Sequence, residues 1–141
     1  RAGVVPARHD ELAAEANQFA QAAIAALRES QLQGALVETW KLVTRANQYV
    51  DQTAPFKLAK DPAQAARLDE VLYNLVEVCR VLAVVLWPFM PGTSERIYAQ
   101  LKVCGEPEHW RNAAWGGLLP GHTVGAPVPL FPRKDLPPKT A

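Results

Sequence analysis

Apolar residues recur at helical spacing through the first three-quarters of the chain and nowhere alternate as strand residues would. From about Asp10 to Glu29, Leu12, Ala16, Phe19, Ala23 and Leu27 share one stripe, with Asp10 as the N-cap candidate. From about Leu32 to Thr53, the stripe is Leu36, Trp40, Val43, Val50 and Ala54. Asn47 is its single polar member, and this position predicts a buried amide bonded to the backbone of a neighbouring helix. A third helix is predicted from Pro62 or Ala63 to Trp87. Leu68, Leu72, Leu75, Cys79, Leu82 and Leu86 line one side, and Val71, Val78 and Val85 widen it, so this helix should be central and buried on most sides. Glu77 and Arg80 have the spacing of an ion pair near the helix surface. Pro88 and Pro91 bracket Phe89-Met90 in a forced break, after which Thr93 to about Cys104 reads as a fourth helix carrying Ile97, Tyr98 and Leu101. The expected fold class is all-α, an antiparallel bundle of four to five helices.

From Gly105 onward the composition changes. Seven of the twelve prolines and five of the eight glycines fall there, together with Trp110 and Trp115. That predicts a Pro/Gly-rich, non-helical strap over 105–135, held to the bundle by its aromatics, with Leu130-Phe131 docked in an apolar groove and 136–141 a frayed tail. The expected organisation is one domain over 1–141, with the bundle at 10–104. An apolar content of 49% argues against disorder. The chain starts abruptly at Arg1, with no initiator methionine and no signal or transit character, and so reads as a piece of a longer polypeptide. The uncharged, strongly apolar run Val81 to Ser94 is too short to span a bilayer. Cys79 and Cys104 give no disulfide framework, and reduced thiols in a cytoplasmic protein are expected.

One aromatic does not fit the stripes. Pro55 disfavours helical geometry at Ala54 and supplies no N–H, so the second helix stops and Phe56 falls on the turn, flanked by Lys57 and Lys60. A phenyl ring there either folds back as a plug over the bundle's end or stays outside as a stacking surface for an unpaired base, with the two lysines serving phosphates. The net charge of +1 is modest, yet Lys41, Arg45, Lys57 and Lys60 gather on the second helix and its terminal turn, while Asp10, Glu11, Glu15 and Glu29 crowd the first helix. Lys41 and Arg45 read equally well as part of an ordinary solvated helix face.

The run Trp40, Ala46-Asn47, Tyr49-Val50-Asp51, Ala54-Pro55-Phe56 and Leu58-Ala59-Lys60 resembles the anticodon-binding helical domain of bacterial methionyl-tRNA synthetases. Further pieces follow in the same order: Arg80-Val81-Leu82, Pro88-Phe89-Met90-Pro91 with Thr93-Ser94, Leu118-Leu119-Pro120-Gly121-His122 with Val124-Gly125, and Pro129-Leu130-Phe131-Pro132-Arg133. The resemblance runs from about Leu36 to Asp135. It departs at Phe56, where that family most often carries a tryptophan that stacks on the anticodon. Phenylalanine keeps a π-face but has less area and no indole N–H.

The resemblance implies a partner, the anticodon stem-loop of methionine tRNA, with Phe56 stacking on the first anticodon base, a cytosine, and Lys57, Lys60, Arg45 and Lys41 as the basic edge. Trp40, Asn47, Pro55, Pro88, Pro91, Leu130 and Phe131 would be structural members of the motif. Stacking tolerates any base, so discrimination is expected from an asparagine and an arginine on a helix upstream of the sequence in hand. A methionine–tRNA ligase needs ATP and Mg, both expected in a catalytic domain outside these residues. No cofactor is expected here, and the fragment should be unable to activate an amino acid. Indeed, the sequence contains no glycine-rich phosphate loop, no Gly-x-Ser-x-Gly turn and no His-Glu-x-x-His. Only Cys104 and His109 approach metal-ligand spacing, and with no third ligand near them a metal site is not expected. Two rivals stay open: the equivalent domain of another class I synthetase, and a helical adaptor using Phe56 and Leu58 as anchors for a protein.

Overall fold

A computed structural model describes residues 11–134. Five helices follow one another: α1 (Glu11–Arg28), α2 (Leu32–Thr53), the single-turn α3 (Pro55–Leu58), α4 (Ala65–Leu86) and α5 (Pro91–Leu101). Short 3₁₀ turns at Pro62–Gln64 and Trp110–Ala113 precede α4 and open the strap. No strand occurs among the described residues, and the class is the expected all-α bundle. Asp10, the N-cap candidate, lies outside the described residues, as does the tail from 135 on.

Residues Glu29–Gln31 join α1 to α2, so the two run antiparallel, and α4 packs against both. Along α1 the buried positions are mostly alanine: Ala13, Ala16, Ala20 and Ala23. With so little side chain between them, the helix axes can approach closely, and Leu12, Leu42, Val71, Val78, Val81 and Val85 fill the centre.

On two helices the buried face is rotated by one residue from the face marked by the largest apolar side chains. In α2 the core receives Ala35, Thr39, Leu42 and Tyr49, not the expected Leu36, Trp40, Val43 and Val50. Thr39 loses its polarity inward by donating its hydroxyl to the Ala35 carbonyl at 2.8 Å. Asn47, expected as a buried amide, is exposed, and the buried amide of the bundle is instead Asn74 on α4. Trp40 is 55% exposed. In α4 the valines Val71, Val78, Val81 and Val85 face the core, while Leu72 and Cys79 of the expected stripe stand on the exposed side. Compact β-branched and small residues suit the tightly packed seam, and the longer side chains lie at its margins. Desolvation nevertheless raises the Cys79 thiol pKa above its ordinary value.

The Glu77–Arg80 pair, expected near the surface, is the most buried polar cluster and locks the strap down. Both side chains are almost fully buried. Arg80 Nη2 and Nε donate to Glu77 Oε1 and Oε2 at 2.8 and 2.9 Å. Its outer nitrogens also donate to the carbonyls of Asn112 and Ala114. Glu77 Oε1 in turn accepts the N–H groups of Gly116 and Gly117 at 2.6 and 2.7 Å. Burial works against the charge on Arg80, but the bonds and negative charge of Glu77 outweigh it and hold the guanidinium pKa above its usual value. A Cβ on Gly117 would lie 2.6 Å from Arg80 Cζ, so glycine is needed for this approach.

Further bonds extend the attachment. Tyr73 donates its hydroxyl to the Leu118 carbonyl at 2.8 Å, and the Trp115 N–H donates to Asn17 Oδ1 at 3.0 Å. Gly125 N–H donates to the Gln100 carbonyl, and His122 donates from Nε2 to the Leu101 carbonyl at 2.5 Å. Trp110 and Trp115 pack on the core as expected, and Arg28 lies over the Trp110 ring. The docking expected of Leu130-Phe131 is only half met: Leu130 lines a shallow groove with Gln100, Gly125 and Val128, whereas Phe131 is 69% exposed. A strap fixed through its backbone leaves its side chains free to face outward.

No helix among the described residues is long and apolar enough to cross a membrane.

Candidate nucleic-acid interface

The turn after α2 is built by Ala54 and Pro55. Ala54 adopts a left-handed conformation (φ 44°, ψ 60°) and closes α2 with its N–H on the Val50 carbonyl at 2.8 Å. Alanine holds this conformation at a cost of roughly 1–2 kcal/mol relative to right-handed geometry, so the surrounding structure must enforce it. Pro55 then takes the first position of α3, where its fixed φ suits a helix start and its missing N–H leaves nothing unpaired. The Ala54 carbonyl receives the N–H groups of Lys57 and Leu58, and the Pro55 carbonyl that of Ala59. The sequence pattern anticipated a turn here; the hydrogen bonds make it a helical turn.

That geometry separates the two roles proposed for Phe56. Leu58 points inward and packs on the core, and so is the plug. Phe56 is 61% exposed. Lys57 and Lys60 are exposed beside it, and among the described residues no carboxylate pairs with either. The surface thus offers an aromatic face on a short hydrogen-bonded helical turn with two lysine ammonium groups nearby that no carboxylate pairs with among the described residues, a pattern that suits an unpaired base and its phosphates.

Lys41 and Arg45 are in a different situation. Lys41 is bound to Glu38 at 2.6 Å, and Arg45 to Glu15, with Gln52 also in reach. Both cations have a carboxylate partner within the protein, whereas Lys57 and Lys60 have none among the described residues. Trp40, Lys41, Arg45 and Gln48 instead rim an open apolar groove of about 720 Å³ floored by Phe19, Leu36 and Val37. Neither its exposure nor the shift of Trp40 to the outer face of α2 is visible in the apolar spacing.

Cys104 is not among the ligand atoms gathered beside His109 in the described residues. The residues brought close there are Glu106, Glu108 and His109, all exposed. A hydrogen bond and charge from Glu106 raise the Glu108 pKa.

The fold and this turn define an all-α helical domain that presents an exposed aromatic side chain beside two lysines. Residues 1–135 match the family described as the anticodon binding domain of methionyl tRNA ligase, and the chain belongs to it. The chain is similar to the methionine–tRNA ligase of Caldanaerobacter subterraneus, at 42% identity over 106 residues covering 75% of this chain and 17% of that protein. Similarity to the Bacillus subtilis methionine–tRNA ligase is 36% over 134 residues, covering 94% of this chain and 20% of the relative. The crystal structure of the apo form of Mycobacterium tuberculosis methionyl-tRNA synthetase superposes with a TM-score of 0.82 at 26% identity, over 97% of this chain and 28% of that one. The chain therefore spans about a fifth or less of the curated relatives' length.

Proposed function

We propose that this chain is the anticodon-binding part of a methionine–tRNA ligase, in which Phe56 stacks on an anticodon base and Lys57 and Lys60 hold adjacent phosphates. The observation that carries this reading is the exposure of Phe56 on a turn whose backbone is fixed and whose inward position is already filled by Leu58. A ring so held gives up little freedom when a base stacks on it, so most of the contact energy is realised as affinity.

In this reading the whole enzyme uses ATP and Mg to join methionine to its tRNA in the cytoplasm, the catalytic groups lie in other parts of the polypeptide, and these residues hold no cofactor. Stacking supplies affinity, roughly 1–3 kcal/mol per base, while base identity is read by hydrogen bonds from residues outside this sequence. An adaptor role anchored by Phe56 and Leu58 is disfavoured because Leu58 is turned into the core.

The test is binding of two RNAs of equal length and charge, the methionine anticodon stem-loop and a fully paired duplex, at two salt concentrations. The account expects preference for the loop, and loss of most of that preference in Phe56→Ala. Equal binding of both RNAs would make the contact purely electrostatic and would sink the stacking role.

A further inference from the structure

We infer that Asn74 and Tyr49 are positioning residues for the Phe56 platform: a buried hydrogen bond between α4 and α2 holds the end of α2 on which the turn is built. The inference rests on the stacking role proposed for Phe56.

Asn74 Nδ2 donates to the Tyr49 hydroxyl oxygen at 3.0 Å, and both side chains are buried. Tyr49 sits in the last turns of α2, and its own carbonyl accepts the Thr53 hydroxyl at 2.6 Å. The next carbonyl, that of Val50, receives the N–H of the left-handed Ala54. The tether from α4 thus enters α2 one turn before the strained residue. On the other side of the strained residue, α3 is fixed by Leu58 packing on the core. Phe56 lies between these two attachments, with its ring outside. Removing either should not unfold the bundle, whose centre lies among Leu12, Leu42, Val71 and Val78, but should let Ala54 and the turn sample other conformations. A ring that wanders must be ordered by the incoming base, so RNA affinity falls in addition to the stability lost with the buried bond.

Tyr49→Phe keeps the buried ring and removes the hydroxyl that Asn74 binds, so the tether is lost with little change in shape. In the full-length ligase, Tyr49→Phe should lower tRNA kcat/KM by roughly 3- to 10-fold through KM, with kcat and methionine-dependent ATP–pyrophosphate exchange unchanged. The decisive measurement is the same substitution in a Phe56→Ala background. With the platform gone, its tether should have nothing left to position, and the further loss should stay below about 1.5-fold. Asn74→Ala breaks the bond from the other side and should show the same dependence on Phe56, which keeps the test open if one variant folds poorly. Equal losses with and without Phe56, or no loss in the wild-type background, would overturn the positioning role while leaving the stacking role intact. If Phe56→Ala itself has no effect on tRNA, the stacking role fails and this inference fails with it.

Discussion

Replacing Arg80 by methionine should be among the most damaging single changes in the domain. Arg80 is 2% exposed and makes four hydrogen bonds, two to Glu77 and two to the carbonyls of Asn112 and Ala114. Methionine fills much of the volume and makes none of them. Glu77 would remain at 0% exposure with two N–H donors, from Gly116 and Gly117, and no cation. A buried charge stranded in this way typically costs about 3–5 kcal/mol, more than the loss of the hydrogen bonds as neutral contacts would. Glu77→Gln with Arg80→Met strands neither charge, and a glutamine carbonyl can still accept from the two glycines. The double variant should therefore be less destabilised than the sum of the singles by about 1–3 kcal/mol. Urea unfolding followed by circular dichroism gives these differences, and amide exchange at 112–118 shows whether the strap loosens as the bundle persists. A loss below about 1 kcal/mol for Arg80→Met, with exchange at Gly116 and Gly117 unchanged, would refute the clamp.

Gly117→Ala pushes a Cβ toward the Arg80 guanidinium and should cost about 1–3 kcal/mol in the same unfolding assay, with little added effect once Arg80 is methionine; full additivity would contradict the contact. Leu58→Ala should lower stability by about 1–3 kcal/mol while Phe56→Ala changes it by less than about 0.5, because only Leu58 packs on the core; the reverse order in thermal melts would exchange their roles. Burial raises the phenol pKa of Tyr98, and burial followed by the charge of Glu77 raises that of Tyr73. An acid whose folded pKa is raised adds stability that is complete below its unfolded value, about 10, and is lost as pH climbs through the folded value. Absorbance at 295 nm should therefore show both rings ionising above pH 10 with stability falling in parallel, and Tyr73→Phe and Tyr98→Phe should each remove one step. Ordinary titration of both in a protein that stays folded would contradict their burial.

Much of this architecture was legible in the sequence because helix stops are chemical. Pro55, Pro88 and Pro91 remove N–H groups and forbid continuation, so the ends of α2 and α4 fell close to their expected places. The same proline put Phe56 on a turn, but whether the ring folded back or stayed outside was decided only by Leu58 taking the inward position. What spacing could not supply was the choice between adjacent faces of α2 and α4. Hydrophobic periodicity locates an apolar side to within about one residue, or roughly 100°, and the largest side chains drew the expected stripe to Trp40 and Leu72. The axis that wins is the one along which helices approach most closely, and that is set by the small residues Ala35 and Thr39 and by the valines of α4. Asn47 illustrates the consequence: one step of rotation turns an expected buried amide into a surface residue. The strap clamp was half visible, since Glu77 and Arg80 have pairing distance along a helix. Their real partners, Gly116 and Gly117, lie about 40 residues away in a segment without periodicity. Likewise, the charges on Lys41 and Arg45 could not be counted as free or committed until Glu38 and Glu15 were placed beside them.

The most direct test of the central claim pairs melting temperature with tRNA aminoacylation for three variants at Phe56 in the full-length ligase. If the ring stacks on an anticodon base, Phe56→Ala should cost about one to two powers of ten in kcat/KM for tRNA with the melting temperature unchanged. Phe56→Trp should equal or exceed the wild type, and Phe56→Leu, which keeps apolar area without a π-face, should resemble Ala. Activity losses that track losses in melting temperature, with Leu mild and Trp harmful, would show a packing residue and contradict the account.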